Sequence, residues 1–156
     1  MQAKPVVMIV DTDRNRRKAL RRILKEGRMD ATIEEVSQVK QSREAILRGR
    51  PTLVLLHSTF PYMEEDGTGL LEFIKEDFRN SRIGLMMVLP ISGSLLYRSG
   101  YQAGSEILEV ADDLITTDFT SDMIQSIVNE YIERRTAVAT VTETVEEAEY
   151  SLARSE

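Results

Sequence analysis

The sequence predicts an α/β domain, a five-stranded doubly wound parallel sheet with helices on both faces. Three observations carry that reading. Val6–Val10, Leu53–Leu56 and Ile83–Leu89 are nearly unbroken apolar runs. They are too short for most helices and lack polar alternation, as strands covered on both faces require. Between them lie stretches whose apolar residues recur at the i, i+3, i+4 spacing of amphipathic helices. The length of 156 residues, 42% hydrophobic and 29% charged, suits one core with at most an appendage.

Taken in order, Val6–Val10 is the first strand and opens onto Asp11, Thr12 and Asp13. Asp13 is placed to N-cap a helix whose apolar stripe is Ala19, Leu20, Ile23 and Leu24, and Gly27 stops it. Ala31 to Val36, with Glu34 and Glu35 inside it, reads as an edge strand. Val39 to Arg48 is a short helix ended by Gly49. The Leu53–Leu56 run, bounded by Pro51 and by Ser58, Thr59 and Pro61, stops at the polar His57. Thr68 to Phe78 is helical, Ile83 to Leu89 is a buried strand, and a helix from about Ser94 to Ala103 stops at Gly104. A last strand spans roughly Asp113 to Thr116. The helix that begins near Ser121 buries Ile124, Ile127, Val128, Tyr131 and Ile132 on one face. No internal repeat is visible.

The domain is expected over 1–135, and 136–156 forms an acidic tail or a helical extension. Val138, Val141, Val145, Ala148 and Leu152 keep a 3,4 spacing in phase with Ile124, Ile127 and Tyr131, as one long helix or a coiled-coil seam would. Against this, seven of the ten residues from Thr136 to Val145 are Val or Thr, indifferent helix formers.

The absence of cysteine removes disulfide and thiolate chemistry, and a single histidine, His57, leaves no conventional zinc or two-histidine iron site. With no leader pattern and no long apolar run, a soluble cytoplasmic protein without membrane insertion is expected. Charge is unevenly spread. From Arg14 to Arg28 there are eight basic residues and one acid, a local excess of about +7 in a chain whose formal net charge is −6.

The stretch from Pro51 to Gly67 resembles the phosphoacceptor segment of bacterial response-regulator receiver domains: an apolar strand, an Asp, two residues, Met-Pro, a spacer and Asp-Gly. Here His57 stands at the Asp, Phe60-Pro61 at the Met-Pro and Asp66-Gly67 at the Asp-Gly, with a spacer two residues longer. The resemblance covers residues 6 to 135 and implies the CheY-like, flavodoxin-like strand order 2-1-3-4-5. It places the family's two metal-binding acids on Asp11 and Thr12. Aligned through Gln102-Ala103-Gly104, it places the hydroxyl residue on Leu89, the Lys-Pro on Thr117-Asp118 and the aromatic switch on Leu114, after an insertion of five or so residues around Glu106 to Ala111.

Receiver phosphorylation, as that resemblance implies, needs a carboxylate nucleophile, acids that hold Mg²⁺, and a hydroxyl and a lysine for the phosphoryl oxygens. Each is altered here. Imidazole is a poor ligand for a hard cation, Thr12 carries no charge, Leu89 donates no hydrogen bond and Thr117 neutralises nothing. His57 therefore has three readings: it fills the emptied pocket through a hydrogen bond to Asp11 or a carbonyl, it forms a pH-sensing pair with Asp11 that raises its pKa, or it is itself phosphorylated.

The expectation is a degenerate pseudo-receiver, not an enzyme, with no cofactor and no metal, acting in two-component or related signalling through phosphorylation-independent protein contacts. Its degenerate pocket is His57, Asp11, Thr12, Leu89 and Thr117, and its candidate partner surface is Arg17, Arg21, Arg22 and Leu114. The partner class is a histidine kinase, a phosphotransfer protein or an output protein, and a homodimer is a further option. The alternatives are a conventional phosphorelay receiver with a non-standard site and a nucleic-acid module using the basic helix. The latter is disfavoured by the acidic balance and by the lack of interleaved aromatics.

Overall fold

Each apolar run becomes a strand in the computed structural model, which describes residues 4–59, 83–98 and 111–154. Strands β1 (Val6–Val10), β3 (Leu53–His57) and β4 (Gly84–Val88) are buried along nearly their whole length. Strands β2 (Thr32–Val36) and β5 (Asp113–Ile115) carry the exposed acids, and they are the two edges. The order is β2-β1-β3-β4-β5 with every pairing parallel, the expected arrangement. The helix expected over Thr68–Phe78, the Phe60-Pro61 and Asp66-Gly67 pairs, Gln102-Ala103-Gly104 and Glu106–Val110 lie outside the described residues.

Four helices are described: α1 (Arg14–Glu26), α2 (Val39–Gly49), α3 (Gly93–Arg98) and α4 (Ser121–Arg154). Side chains alternate across the strands, so two cores form. Met8, Val10, Val54, Leu56, Leu85 and Met87 pack with Ile46 of α2 on one face. Val7, Ile9, Leu53, Leu55 and Met86 pack with Leu24 of α1 and with Ile124, Val128, Tyr131 and Ile132 of α4 on the other. Leu24 is fully buried, so its truncation to Ala removes about 2–5 kcal/mol.

Helix α1 starts and stops where expected, and α2 runs one residue further, through Gly49. Asp13 caps α1 as anticipated, accepting from the Arg16 backbone N–H at 2.9 Å. At the other end Gly27 keeps φ at −73°, and Arg28 takes the left-handed conformation at 53°. Glycine is needed at 27 for space: a Cβ there would lie 2.8 Å from Gln125 Cγ. Gln125 comes that close because its Nε2 donates to the Ile23 carbonyl at 2.8 Å, tying α4 to α1. The end of α2 repeats the pattern, with Gly49 inside the helix and Arg50 at φ 42°.

Helix α4 runs without a break for 34 residues, about 50 Å at 1.5 Å per residue. Ile124, Val128, Tyr131 and Ile132 of α4 lie in the core, and the helix continues well past Arg135. No helix among the described residues is long and apolar enough to cross a membrane.

Candidate functional site

Period-two alternation decides which side chains meet at the carboxyl ends of the strands. Ile9 and Leu55 face the layer of α1 and α4, so Asp11 and His57, two residues on, face the same way. The register sets Val10 beside Leu56 and His57 beside Val88. Asp11 and His57 are each 4% exposed, and a hydrogen bond from His57 to Asp11 was one of the expected arrangements.

Arg16 takes that place. Its guanidinium forks onto Asp11, Nε donating to Oδ2 and Nη2 to Oδ1, both at 2.8 Å. The Asp13 backbone N–H also donates to Asp11 Oδ1, at 2.9 Å, and Arg17 Nη1 donates to the Asp11 carbonyl at 2.7 Å. Arg16 Nη2 reaches on to Thr59 Oγ1 at 3.2 Å, and that hydroxyl lies 2.6 Å from His57 Nδ1. The Thr59 backbone N–H also donates to Nδ1, at 3.2 Å. An Nδ1 that accepts carries no proton, so the hydroxyl donates to it and the neutral imidazole holds its hydrogen on Nε2. Asp11, Arg16, Thr59 and His57 thus form one hydrogen-bonded chain.

The electrostatics follow from that chain. Burial pushes His57 below its usual 6.5; Asp11 pulls the other way, and the Arg16 charge works against Asp11. The net shift is downward, because burial and the Arg16 charge outweigh Asp11, and this corrects the pH-sensing reading, in which the pair raised the pKa. For Asp11, burial works to raise the pKa, but the Arg16 fork and the Asp13 N–H outweigh it and hold the carboxyl below 3.8. Arg16 is pushed up in return by its bond to Asp11.

The other pocket positions sit around this chain. Thr12 is exposed and adds no charge. Leu89 is buried, its N–H donating to the Ile115 carbonyl at 2.8 Å. Thr117 is exposed, and its N–H donates to the Ile91 carbonyl at 2.9 Å. Beside it, Asp118 accepts from the Thr116 hydroxyl and from the Gly93 N–H at 2.9 Å, so it closes the start of α3. Among the described residues no three acidic or histidine side chains gather as a metal site. Asp11, the one acid of the family's metal pair present, has both oxygens engaged.

The proposed partner residues divide. Arg17 is paired with Glu35 at 3.3 Å with its side chain only 12% exposed, and Arg21 pairs with the same carboxylate at 3.1 Å. Arg22 is 81% exposed and, among the described residues, pairs with Glu26, four residues on. Leu114 lies in β5, half-buried against the α2-side core. Sequence reading missed Arg16, Thr59 and Asp118. The available signal was collective: Arg14, Arg16 and Arg17 share a first turn that holds no acid, where cations oppose the helix dipole unless a carboxylate answers them, but it did not say which of the three meets Asp11.

Between α1 and the start of α4, above the ends of β1, β3, β4 and β5, lies an open cleft of about 390 Å³. Its walls are largely apolar, and Asp11, Arg16, His57, Thr116 and Thr117 line its polar part.

No family model matches the chain, and no curated protein does. Solved structures do. The signal receiver domain of a Luxo repressor protein from Vibrio parahaemolyticus is similar at a TM-score of 0.67 and 17% identity, over 89% of this chain and 98% of that one. A CheY-like response regulator receiver domain protein from Methanospirillum hungatei gives 0.63 and 19%, over 86% and 98%. A receiver domain of a Francisella response regulator gives 0.62 and 17%, over 84% and 98%. The chain has the receiver fold.

Proposed function

We propose that this protein is a receiver-fold signalling component of a two-component or related pathway that works without phosphoryl transfer, by binding other proteins and not as an enzyme. One observation carries the reading: the Arg16 guanidinium occupies both oxygens of Asp11 at 2.8 Å. A fixed cation on that carboxylate stands in for the charge that a divalent ion would bring, and a metal gains Asp11 only by displacing it. The remaining positions support the same reading. His57 offers a neutral imidazole in place of a carboxylate nucleophile, Leu89 has no hydroxyl and Thr117 no positive charge. In a cytoplasmic setting the protein then signals by being present and bound, not by being modified.

The partner surface is narrower than the basic helix as a whole. Arg17 and Arg21 are committed to Glu35, which leaves the exposed Arg14, Lys18, Arg22 and Lys25 to meet an acidic protein such as a kinase, phosphotransfer or output domain. The continuous α4 supports self-association: it runs 34 residues, and most helical stability comes from packing against other elements. Sedimentation at about 100 µM should find dimers of the full chain, weakened in a chain ending at Arg135; a monomeric full chain removes this part.

Incubation with a small phosphodonor and Mg²⁺, followed by mass spectrometry, tests the central reading. Wild type and His57→Asp should both remain unmodified, because Arg16 still holds Asp11 and position 117 still lacks its lysine. Stable phosphate on either protein overturns the proposal.

A further inference from the structure

The cleft between α1 and α4 plays no part in the binding of a protein to the outer face of α1, yet it is lined by a buried residue, His57, with one ring nitrogen left without a hydrogen-bond partner among the described residues. His57 is 96% buried and lines it. Thr59 closes the ring on the Nδ1 side through two contacts, 2.6 and 3.2 Å. Nε2 has no hydrogen-bond partner among the described residues. No fully buried side-chain nitrogen or oxygen among them lacks one, so Nε2 is not sealed in, and the cleft that His57 lines is the space it opens toward in this proposal. The tautomer set by Thr59 makes this Nε2 a donor.

The rest of the cleft defines what that donor would meet. Leu20, Ile23, Val88 and Phe119 are only partly buried and give the accessible walls an apolar surface. The charged side chains among the lining residues, Asp11 and Arg16, neutralise each other, so an anionic or cationic guest gains no free counter-charge. A volume of about 390 Å³, at about 30 Å³ for each water-sized group, holds roughly a dozen non-hydrogen atoms. It falls at the small end of the range of ligand pockets, which combine apolar walls with few polar groups.

We propose that this cleft binds a small, uncharged, mostly apolar molecule bearing one carbonyl-type acceptor, which His57 Nε2–H holds while Leu20, Ile23, Val88 and Phe119 enclose the apolar body. The protein is then a sensor of such a molecule. This goes beyond the phosphorylation-independent reading and does not rest on it, since the cleft and the donor are the same whether or not phosphate is ever transferred.

A matched pair of probes tests it: 1-tetralone, which has the acceptor, and tetralin, which has the same rings without it. Each is titrated into isotope-labelled full-length protein and followed by NMR. For 1-tetralone, saturable shifts are expected on the Leu20 and Ile23 methyls, the Phe119 ring and the His57 Nε2–H. Tetralin should bind about tenfold more weakly, the worth of one hydrogen bond to a buried donor. Ala19 is exposed on α1 and lines the cleft, so Ala19→Trp should weaken both probes at least tenfold while leaving the spectrum elsewhere and the unfolding midpoint unchanged. The proposal is overturned by the absence of saturable shifts at 1 mM probe, by shifts confined to another surface, by equal affinity for the two probes, or by unchanged binding to the Trp variant. Any of these leaves the reading of Asp11 and Arg16 standing.

Discussion

Along one face of β4 the protein treats its two ends in opposite ways. At the amino end Gly84 lies directly under Tyr131 of α4, so close that a Cβ would sit 2.0 Å from the phenol oxygen and 2.2 Å from Cζ. Four residues on, Val88 lines the open cleft. Helix α4 covers both ends, with Tyr131 buried at the first and Ile124, next to Phe119 of the preceding loop, beside the second. The closed end is set by steric contact, with burial raising the pKa of Tyr131. The open end is set by charge and hydrogen bonds, from Asp11 through Arg16 and Thr59 to His57. One end fixes how α4 sits on the sheet, which leaves the other free to be polar and accessible.

The largest effect should come from breaking the closed end. Gly84→Ala forces the Tyr131 ring and its helix to move, at a cost of about 3 kcal/mol in denaturant unfolding. Tyr131→Val in that background should restore at least about 1 kcal/mol, and strictly additive losses would show that the two residues do not press on each other.

At the open end, Arg16→Gln leaves a buried carboxylate without its fork and should cost about 2 kcal/mol. Arg17→Glu should cost about as much, since it sets a carboxylate against Glu35 and gives up the Asp11 carbonyl. Arg22→Glu, at an exposed site, should stay within about 0.5 kcal/mol. Equal losses at 17 and 22 would mean that the inward and outward sides of α1 are not distinct.

A smaller effect is the pH dependence of the open end. Because the folded state lowers the pKa of His57, the unfolded chain takes up the proton first as pH falls below 6.5. This contribution is complete above that pH and is lost as pH drops through the folded value. Asp11, also lowered, adds a second loss on acidification below 3.8. Unfolding midpoints between pH 8 and 5 should fall in wild type and fall less in His57→Gln, whose amide oxygen can still accept from Thr59. A slope equal in both proteins would remove His57 as its source.

The sheet was legible because its evidence is local: runs such as Val6–Val10 and Leu53–Leu56 admit few readings, and the end of each run marked Asp11 and His57. The network between them was not. Arg16 is one of eight basic residues in fifteen positions, and nothing in their spacing separates the one that forks onto Asp11 from its neighbours. Thr59 lay in a polar stretch that read only as a turn. Gly27 was read as the stop of α1, which it is, but it also admits Gln125, 98 residues away in sequence, a contact that no local pattern contains. The sign of the His57 shift was missed for the same reason: the carboxylate neighbour was visible, but the burial and the intervening guanidinium were not.

The most direct test of the central claim is a titration of the isotope-labelled protein with Mg²⁺ and beryllofluoride, followed at the backbone amides of Asp11, Asp13, His57, Thr59 and Leu89. If Arg16 has taken over the carboxylate that a metal would need, these amides should not move through millimolar Mg²⁺, with or without the fluoride. Saturable shifts centred on Asp11 and His57 would contradict the account, since they would mean that the guanidinium yields its place and that the pocket still assembles around a metal and a phosphoryl mimic.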